Sequence, residues 1–161
     1  MINILFVCLG NICRSPMAEA VAKQQIQQMG LSDKINVDSA GTGDWHIGHP
    51  PHVGTQRILD TYGIDYKGMK ARQFDLPDFT GFHYIVCMDR KNLQDVLNLQ
   101  PDSDARTSQI VPFMQFVPGS ELEDVPDPYF TGNFEEVYEL VQEGCDQLIR
   151  WVIEREDMAH V

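Results

Sequence analysis

The sequence predicts a three-layer α/β sandwich built on a central four-stranded parallel sheet in the order 2-1-3-4, and three observations lead there. Short apolar runs alternate along the chain with longer segments whose apolar residues recur at helical spacing, the pattern of repeated βα units. Ile4 to Val7 is continuously apolar and Phe82 to Met88 reads as equally buried, whereas residues 35–38 alternate and Gln109 to Met114 contains Pro112, which cannot donate to a ladder. The first pair are therefore central strands and the second pair edges. Right-handed crossovers then impose the order 2-1-3-4 and put the topological switch point between strands one and three, as in flavodoxin- and Rossmann-like sheets.

Each element has its own signature. Strand one, Ile4-Leu5-Phe6-Val7, meets no turn residue before Cys8. Ser15-Pro16 then predicts an N-cap and first helical position, because proline loses nothing where its N–H would have no helical partner. Ala18, Val21, Ala22, Ile26 and Met29 carry this helix onto strand one, and Gly30 closes it as a left-handed cap. Ile35 and Val37 alternate with Asn36 and Asp38 in strand two, which runs into Ser39-Ala40-Gly41-Thr42-Gly43. A loop from Asp44 to His52 leads to a second helix with the face Val53, Ile58, Leu59 and Tyr62, ended by Gly63. Residues 64–81 are punctuated by Gly68, Pro77 and Gly81 and read as irregular. After strand three, Asp89 can cap a helix carrying Leu93, Val96 and Leu97. Beyond strand four, Pro118, Pro126 and Pro128 stiffen a surface loop from 118 to 132. The last helix is the clearest, with Phe134, Val137, Tyr138, Val141, Cys145, Leu148, Ile149 and Val152 in register behind Asn133 and Glu136. It is expected to cover the sheet face opposite the first helix.

The 161 residues, 43% of them hydrophobic, suffice for one core and suggest a single domain over 1–161. Twelve basic against 24 acidic residues give a net charge of −12, which disfavours nucleic acid and anionic membranes as partners. Any attraction for an anion must be local. No stretch has the length of a membrane span, and the N-terminal apolar run lacks the basic flank of a signal peptide. Cys8, Cys13, Cys87 and Cys145 show no disulfide framework. A reducing, cytoplasmic setting is expected, with Cys87 and Cys145 as small buried hydrophobes.

The chemistry concentrates in residues 8–15. Six residues, Leu9 to Arg14, connect a buried strand to a helix N-terminus, a loop short enough to turn its N–H groups inward as an anion nest. Gly10 and Asn11 are residue types that tolerate the positive φ a nest requires. Cys8 stands at the strand's end, where the nest, the helix dipole and Arg14 all favour its thiolate, the nucleophilic form. Arg14 offers a planar fork for two oxygens of a tetrahedral oxyanion. A nucleophile within a phosphate cradle suggests phosphoryl transfer through cysteine.

These residues resemble the low-molecular-weight protein tyrosine phosphatases, whose signature C-x-G-N-x-C-R-S is matched by Cys8-Leu9-Gly10-Asn11-Ile12-Cys13-Arg14-Ser15. A bare C-x5-R would be a weak signal. Here Gly, Asn, the second Cys and Ser are all in place between a strand and a helix. Asp127-Pro128-Tyr129 alone reads more readily as a turn than as an acid, but the resemblance implies that Asp127 is the general acid, since the family carries D-P-[YFW] at this distance from the C-terminus. It further implies that Cys8 attacks phosphorus while Arg14 and the amides of residues 9–15 hold the oxygens. Ser15 would donate to the thiolate, and water would then hydrolyse a phosphocysteine. No metal or cofactor is implied. Tyr129, Phe130 and Trp45 would flank an aryl ring, so the expected partners are phosphotyrosine proteins or small aryl phosphates, with inorganic phosphate as product and the enzyme a monomer. Cys13 would pair with Cys8 on oxidation. One departure stands out: the family commonly carries Ser-His before the segment seen here as Lys70-Ala71-Arg72-Gln73, and that histidine braces the loop asparagine, whereas this chain has Gly68-Met69. Ser39 is expected to carry more of that role.

Three rival readings are weaker. A thiol-dependent arsenate reductase of the same fold needs two more cysteines in a mobile segment, and only Cys87 lies in that part of the chain. His46, His49 and His52 have metal-site spacing, but Pro50 and Pro51 interrupt helical geometry. A non-catalytic phosphate-binding module has no use for Cys8 and Asp127 together.

Overall fold

The computed structural model describes residues 1–101 and 108–158. Ile4, Leu5, Phe6 and Val7 have no solvent exposure because β1 (Ile2–Cys8) lies inside the sheet. It pairs in parallel with β2 (Ile35–Gly41) on one side and β3 (Tyr84–Cys87) on the other, and β4 (Gln109–Pro112) pairs with β3. The order is β2-β1-β3-β4, as the edge signals predict. Strand β4 ends at Pro112, two residues short of expectation. The chain there turns into a 3₁₀ segment, Phe113–Phe116, that sends Phe113 into the core beside Phe6, with ring centroids 6.4 Å apart.

The alternation along β1 divides the core in two. Ile4 and Phe6, with Val37, Tyr84 and Val86, face α1 (Arg14–Gln28) and α6 (Phe134–Arg155). Leu5 and Val7, with Ile85 and Cys87, face Phe74, Phe79 in α3 (Asp78–Gly81) and Val96 in α4 (Arg90–Asn98). The last helix therefore shares its face with α1, which corrects the expectation that it covers the opposite one. Crossovers running in opposite directions from the switch point put α1 and α4 on opposite faces. The turn at Phe113–Phe116 then returns the chain to the α1 side, where Phe113 lies so close to Gly144 of α6 that an added Cβ would stand 2.3 Å from its Cζ.

The remaining elements depart from the sequence reading in small ways. Helix α1 begins at Arg14, its cap residue Cys13 makes no side-chain hydrogen bond, and Ser15 lies within the first turn rather than at the cap. Helix α2 (Val53–Thr61) buries Thr55 and Leu59 but leaves Val53 exposed, while Tyr62 just beyond it stacks on Tyr138 at 4.0 Å. Asp89 caps α4 through Asn92 N–H, and Asn133 caps α6 through Glu136 N–H, both as predicted. The proline-rich loop contains one helical turn, α5 (Pro128–Thr131), capped by Asp127. Among the described residues no helix is long and apolar enough to cross a membrane.

Candidate active site

The loop between β1 and α1 is tied down by its carbonyl groups. Those of Cys8 and Leu9 accept from the N–H groups of Thr42 and Gly43, each at 2.9 Å. The carbonyl of Ile12 accepts from His52 N–H at 2.7 Å, and that of Cys13 from Thr55 Oγ1 at 3.2 Å. With these oxygens turned outward the N–H groups turn inward, and among the described residues none from Leu9 to Cys13 donates a backbone hydrogen bond. Asn11 adopts the expected left-handed conformation, with φ 56°. Gly10 does not. Its missing side chain serves a close approach instead, since a Cβ there would stand 3.0 Å from His46 Cδ2.

Arg14 is almost fully buried and held from across the sheet. Its Nη1 donates to Asp89 Oδ2 at 2.6 Å and to the Val125 carbonyl at 3.0 Å, and Nη2 donates to Asp127 Oδ2 at 3.3 Å. Burial opposes the charge, but Cys8, Asp89 and Asp127 outweigh it and hold the guanidinium above the ordinary arginine range. Nε is buried and has no hydrogen-bond partner among the described residues. A buried donor without an acceptor is costly, and this one belongs to the fork beside Cys8. Asp127 itself caps α5, its Oδ1 accepting from Tyr129 N–H at 3.1 Å.

Behind the loop runs a continuous polar chain. Cys8 Sγ lies 3.0 Å from Ser15 Oγ, Asn11 Nδ2 donates to Ser15 Oγ at 2.7 Å and to Ser39 Oγ at 3.0 Å, and Ser39 Oγ donates to Glu19 Oε1 at 2.7 Å. Asn11 Oδ1 accepts from Arg72 N–H at 2.9 Å. Ser39 thus takes up the bracing role expected of it, and Met69 packs against the core. Ser15 does not cap its helix because its oxygen is spent here.

The front of the loop opens into a cavity of about 410 Å³. It is lined by Cys8, Leu9, Gly10, Ile12, Cys13 and Arg14 from the loop and helix start, and by Trp45, His46, Asp127, Tyr129 and Phe130 from two other segments. The three aromatic residues expected to flank a ring, Trp45, Tyr129 and Phe130, all line it, whereas the side chains of Asn11 and Ser15, from the expected phosphate-binding run, lie behind the loop. Trp45 is 66% exposed, so it plugs no core.

A model of the low molecular weight phosphotyrosine protein phosphatases matches residues 3–158. The chain belongs to this family. The low molecular weight protein-tyrosine-phosphatase YfkJ of Bacillus subtilis is 52% identical over 149 residues, covering 92% of this chain and 94% of its own. PtpA of Staphylococcus epidermidis, also named a low molecular weight protein-tyrosine-phosphatase, is 47% identical over 153 residues, 95% of each chain. The crystal structure of YfkJ superposes with a TM-score of 0.90 at 51% identity, covering 97% and 96% of the two chains. A Drosophila arginine phosphatase shares the fold at 32% identity and a TM-score of 0.86, covering 92% and 96%.

The phosphatase family is a better fit than the rivals in the details of the site as well. Cys87 in β3 and Cys145 in α6 are fully buried in the core and line no part of the cavity, unlike the relay thiols an arsenate reductase requires. The three histidines form no metal cluster among the described residues. His52 accepts from Gly54 N–H and stacks on Phe134 at 5.2 Å, while His46 and His52 both pack against Tyr129, at 6.3 and 5.9 Å. Sequence reasoning missed these two as supports of the cavity wall, and it missed Asp89 as the anchor of Arg14. Asp89 had one available signal, its place directly after the strand that borders the switch point.

Proposed function

We propose that the protein hydrolyses phosphotyrosine through a phosphocysteine on Cys8. The observation that carries this reading is a thiol on the floor of an N–H-lined loop, with the unpartnered Nε of Arg14 beside it and Asp127 above it in one cavity. Sγ of Cys8 attacks phosphorus in line, the bond to the leaving oxygen breaks, and Asp127 gives that oxygen its proton. The loop amides and Arg14 neutralise charge on the equatorial oxygens. Water then attacks the phosphocysteine and gives its proton to Asp127, the sulfur departs as thiolate, and inorganic phosphate leaves. These protein groups carry the reaction by themselves. Ile12 and the aromatic rim suit a flat aryl ester. Among the described residues Asp127 is the only carboxylate lining the cavity, which disfavours a guanidinium leaving group such as that of phosphoarginine.

Phosphate release from phosphotyrosine peptide, p-nitrophenyl phosphate and phosphoarginine tests the reading. Cys8→Ser should abolish release. Asp127→Asn should cost on the order of 10²–10⁴ with phosphotyrosine and far less with p-nitrophenyl phosphate, whose leaving group needs little protonation. Equal losses on both would remove Asp127 from the acid role, and faster turnover of phosphoarginine would replace the substrate class.

Cys13 also lines the cavity, and burial raises its thiol to about 12. It serves as the resolving thiol once Cys8 is oxidised, in keeping with a reducing cytoplasmic setting. Peroxide should inactivate wild type reversibly by thiol reductant and Cys13→Ser irreversibly, with a Cys8–Cys13 disulfide visible by mass spectrometry only in the former.

A further inference from the structure

Resting on the reading above, the geometry points to Glu19 as a positioning residue for Cys8. Its carboxylate, an acceptor with no proton to give, fixes one end of a hydrogen-bond chain that runs to the sulfur, and Arg72 N–H fixes the middle. Glu19 lies on α1 with 8% of its surface exposed, and nothing in the chemistry proposed above uses it. Because Glu19 only accepts, the Ser39 hydroxyl must spend its hydrogen on Oε1, at 2.7 Å. The Ser39 oxygen is then free to accept from Asn11 Nδ2 at 3.0 Å. The other Nδ2 hydrogen goes to Ser15 Oγ at 2.7 Å, and the amide cannot flip because Oδ1 is held by Arg72 N–H at 2.9 Å. Ser15 Oγ has thus accepted a bond, and its own hydrogen has two outlets. One is Cys8 Sγ at 3.0 Å, the other the Ala40 carbonyl at 3.5 Å, beyond the usual O–H···O range. Sulfur wins, and Ser15 is the donor.

A proton on Glu19 Oε1 itself would cost the Ser39 hydrogen this acceptor, and Asn11, whose facing group is a donor, offers no other, whereas a proton on Oε2 would leave Oε1 accepting. The charges facing Glu19 are Lys23 on its own helix, with Nζ 3.8 Å from Oε2, Asp38 from β2, and Arg72 from the segment after α2. Burial is the largest influence and raises the carboxyl above the ordinary glutamate range, against the Ser39 hydrogen bond and the two cations. The folded chain holds this proton more tightly than the unfolded chain. The resulting stability is present below the ordinary glutamate range and is lost as pH rises through the raised value. Removing the carboxylate should therefore leave the fold intact at pH 7 while disarming the sulfur.

The test compares wild type, Glu19→Leu, Glu19→Gln, Ser39→Ala and the Glu19→Leu/Ser39→Ala double variant. Iodoacetamide alkylation of Cys8 is followed by mass spectrometry from pH 5 to 9, alongside kcat and KM for p-nitrophenyl phosphate and thermal melting. The half-rate pH of alkylation should rise by roughly half to one unit in Glu19→Leu, with kcat down about 3- to 10-fold and KM little changed. Glu19→Gln, which can still accept through Oε1, should recover part of both. Ser39→Ala should match Glu19→Leu, and the double variant should lose nothing more. An unchanged half-rate pH in folded Glu19→Leu, or losses that add in the double variant, would overturn the proposal. Should Glu19→Leu fail to fold, an unchanged half-rate pH in Glu19→Gln overturns it. Alkylation needs no turnover, so it decides the matter even if phosphotyrosine hydrolysis is not found.

Discussion

Arg14 is held by carboxylates 75 and 113 residues further along the chain, and this distance explains both the site's precision and what could be read of it. The signature 8–15 is local, so the grouping of a thiol, an N–H-lined loop and a guanidinium is legible from residue types between a strand and a helix. The groups around them are not, because Asp89 and His46 reach the loop, and Glu19 reaches Ser39, only through contacts between distant parts of the chain. Asp89 does two jobs at once. Its Oδ2 binds Arg14 and its Oδ1 caps α4 through Asn92 N–H at 2.7 Å. Asparagine can keep the cap but not the charge that offsets the buried Arg14, so Asp89→Asn should lose stability in urea unfolding through that pair alone, and Asp89→Ala should lose about 1 kcal/mol more with the cap. Both should lower kcat/KM for p-nitrophenyl phosphate by about 10- to 100-fold, because an arginine displaced by even an ångström no longer meets the transferring phosphoryl group.

At the scale of elements, strand order followed from two edge signals that operate within a few residues, the alternation in β2 and Pro112 in β4. The face covered by α6 did not follow. Periodicity reveals that a helix has a buried stripe but not which partner meets it, and the partner here is chosen by the turn that carries Phe113 to Gly144. That contact has no slack. Gly144→Ala should overpack it and cost about 1–3 kcal/mol in urea unfolding. The variant's folded fraction should keep wild-type kcat, since α6 supports the site from behind and places no group in the cavity. The loop that carries Asp127 is the converse case. Its prolines mark it as a loop, but its tie to the sheet is Val125, whose N–H donates to the Met88 carbonyl and whose carbonyl accepts from Arg14.

Across the whole molecule, charge and packing are distributed unequally. The surface is strongly acidic, with a net charge of −12, while the cavity centres on a buried guanidinium and a ring of N–H groups. Anions are therefore attracted over a short range only, within the reach of the loop. The core strands and the α1–α6 interface supply the stability; the segment from Cys8 to Glu19 draws on it. Within that segment lie a helix start without a side-chain cap, a non-glycine residue at φ 56°, a buried guanidinium with an orphaned Nε, and a buried carboxylate. Each is locally unfavourable, and each belongs to the loop around the sulfur or to the hydrogen-bond chain behind it. A redesign guided by folding energy alone would begin with these residues, capping the helix, relaxing Asn11 and neutralising Glu19. It would return a hardier protein that had forgotten its chemistry.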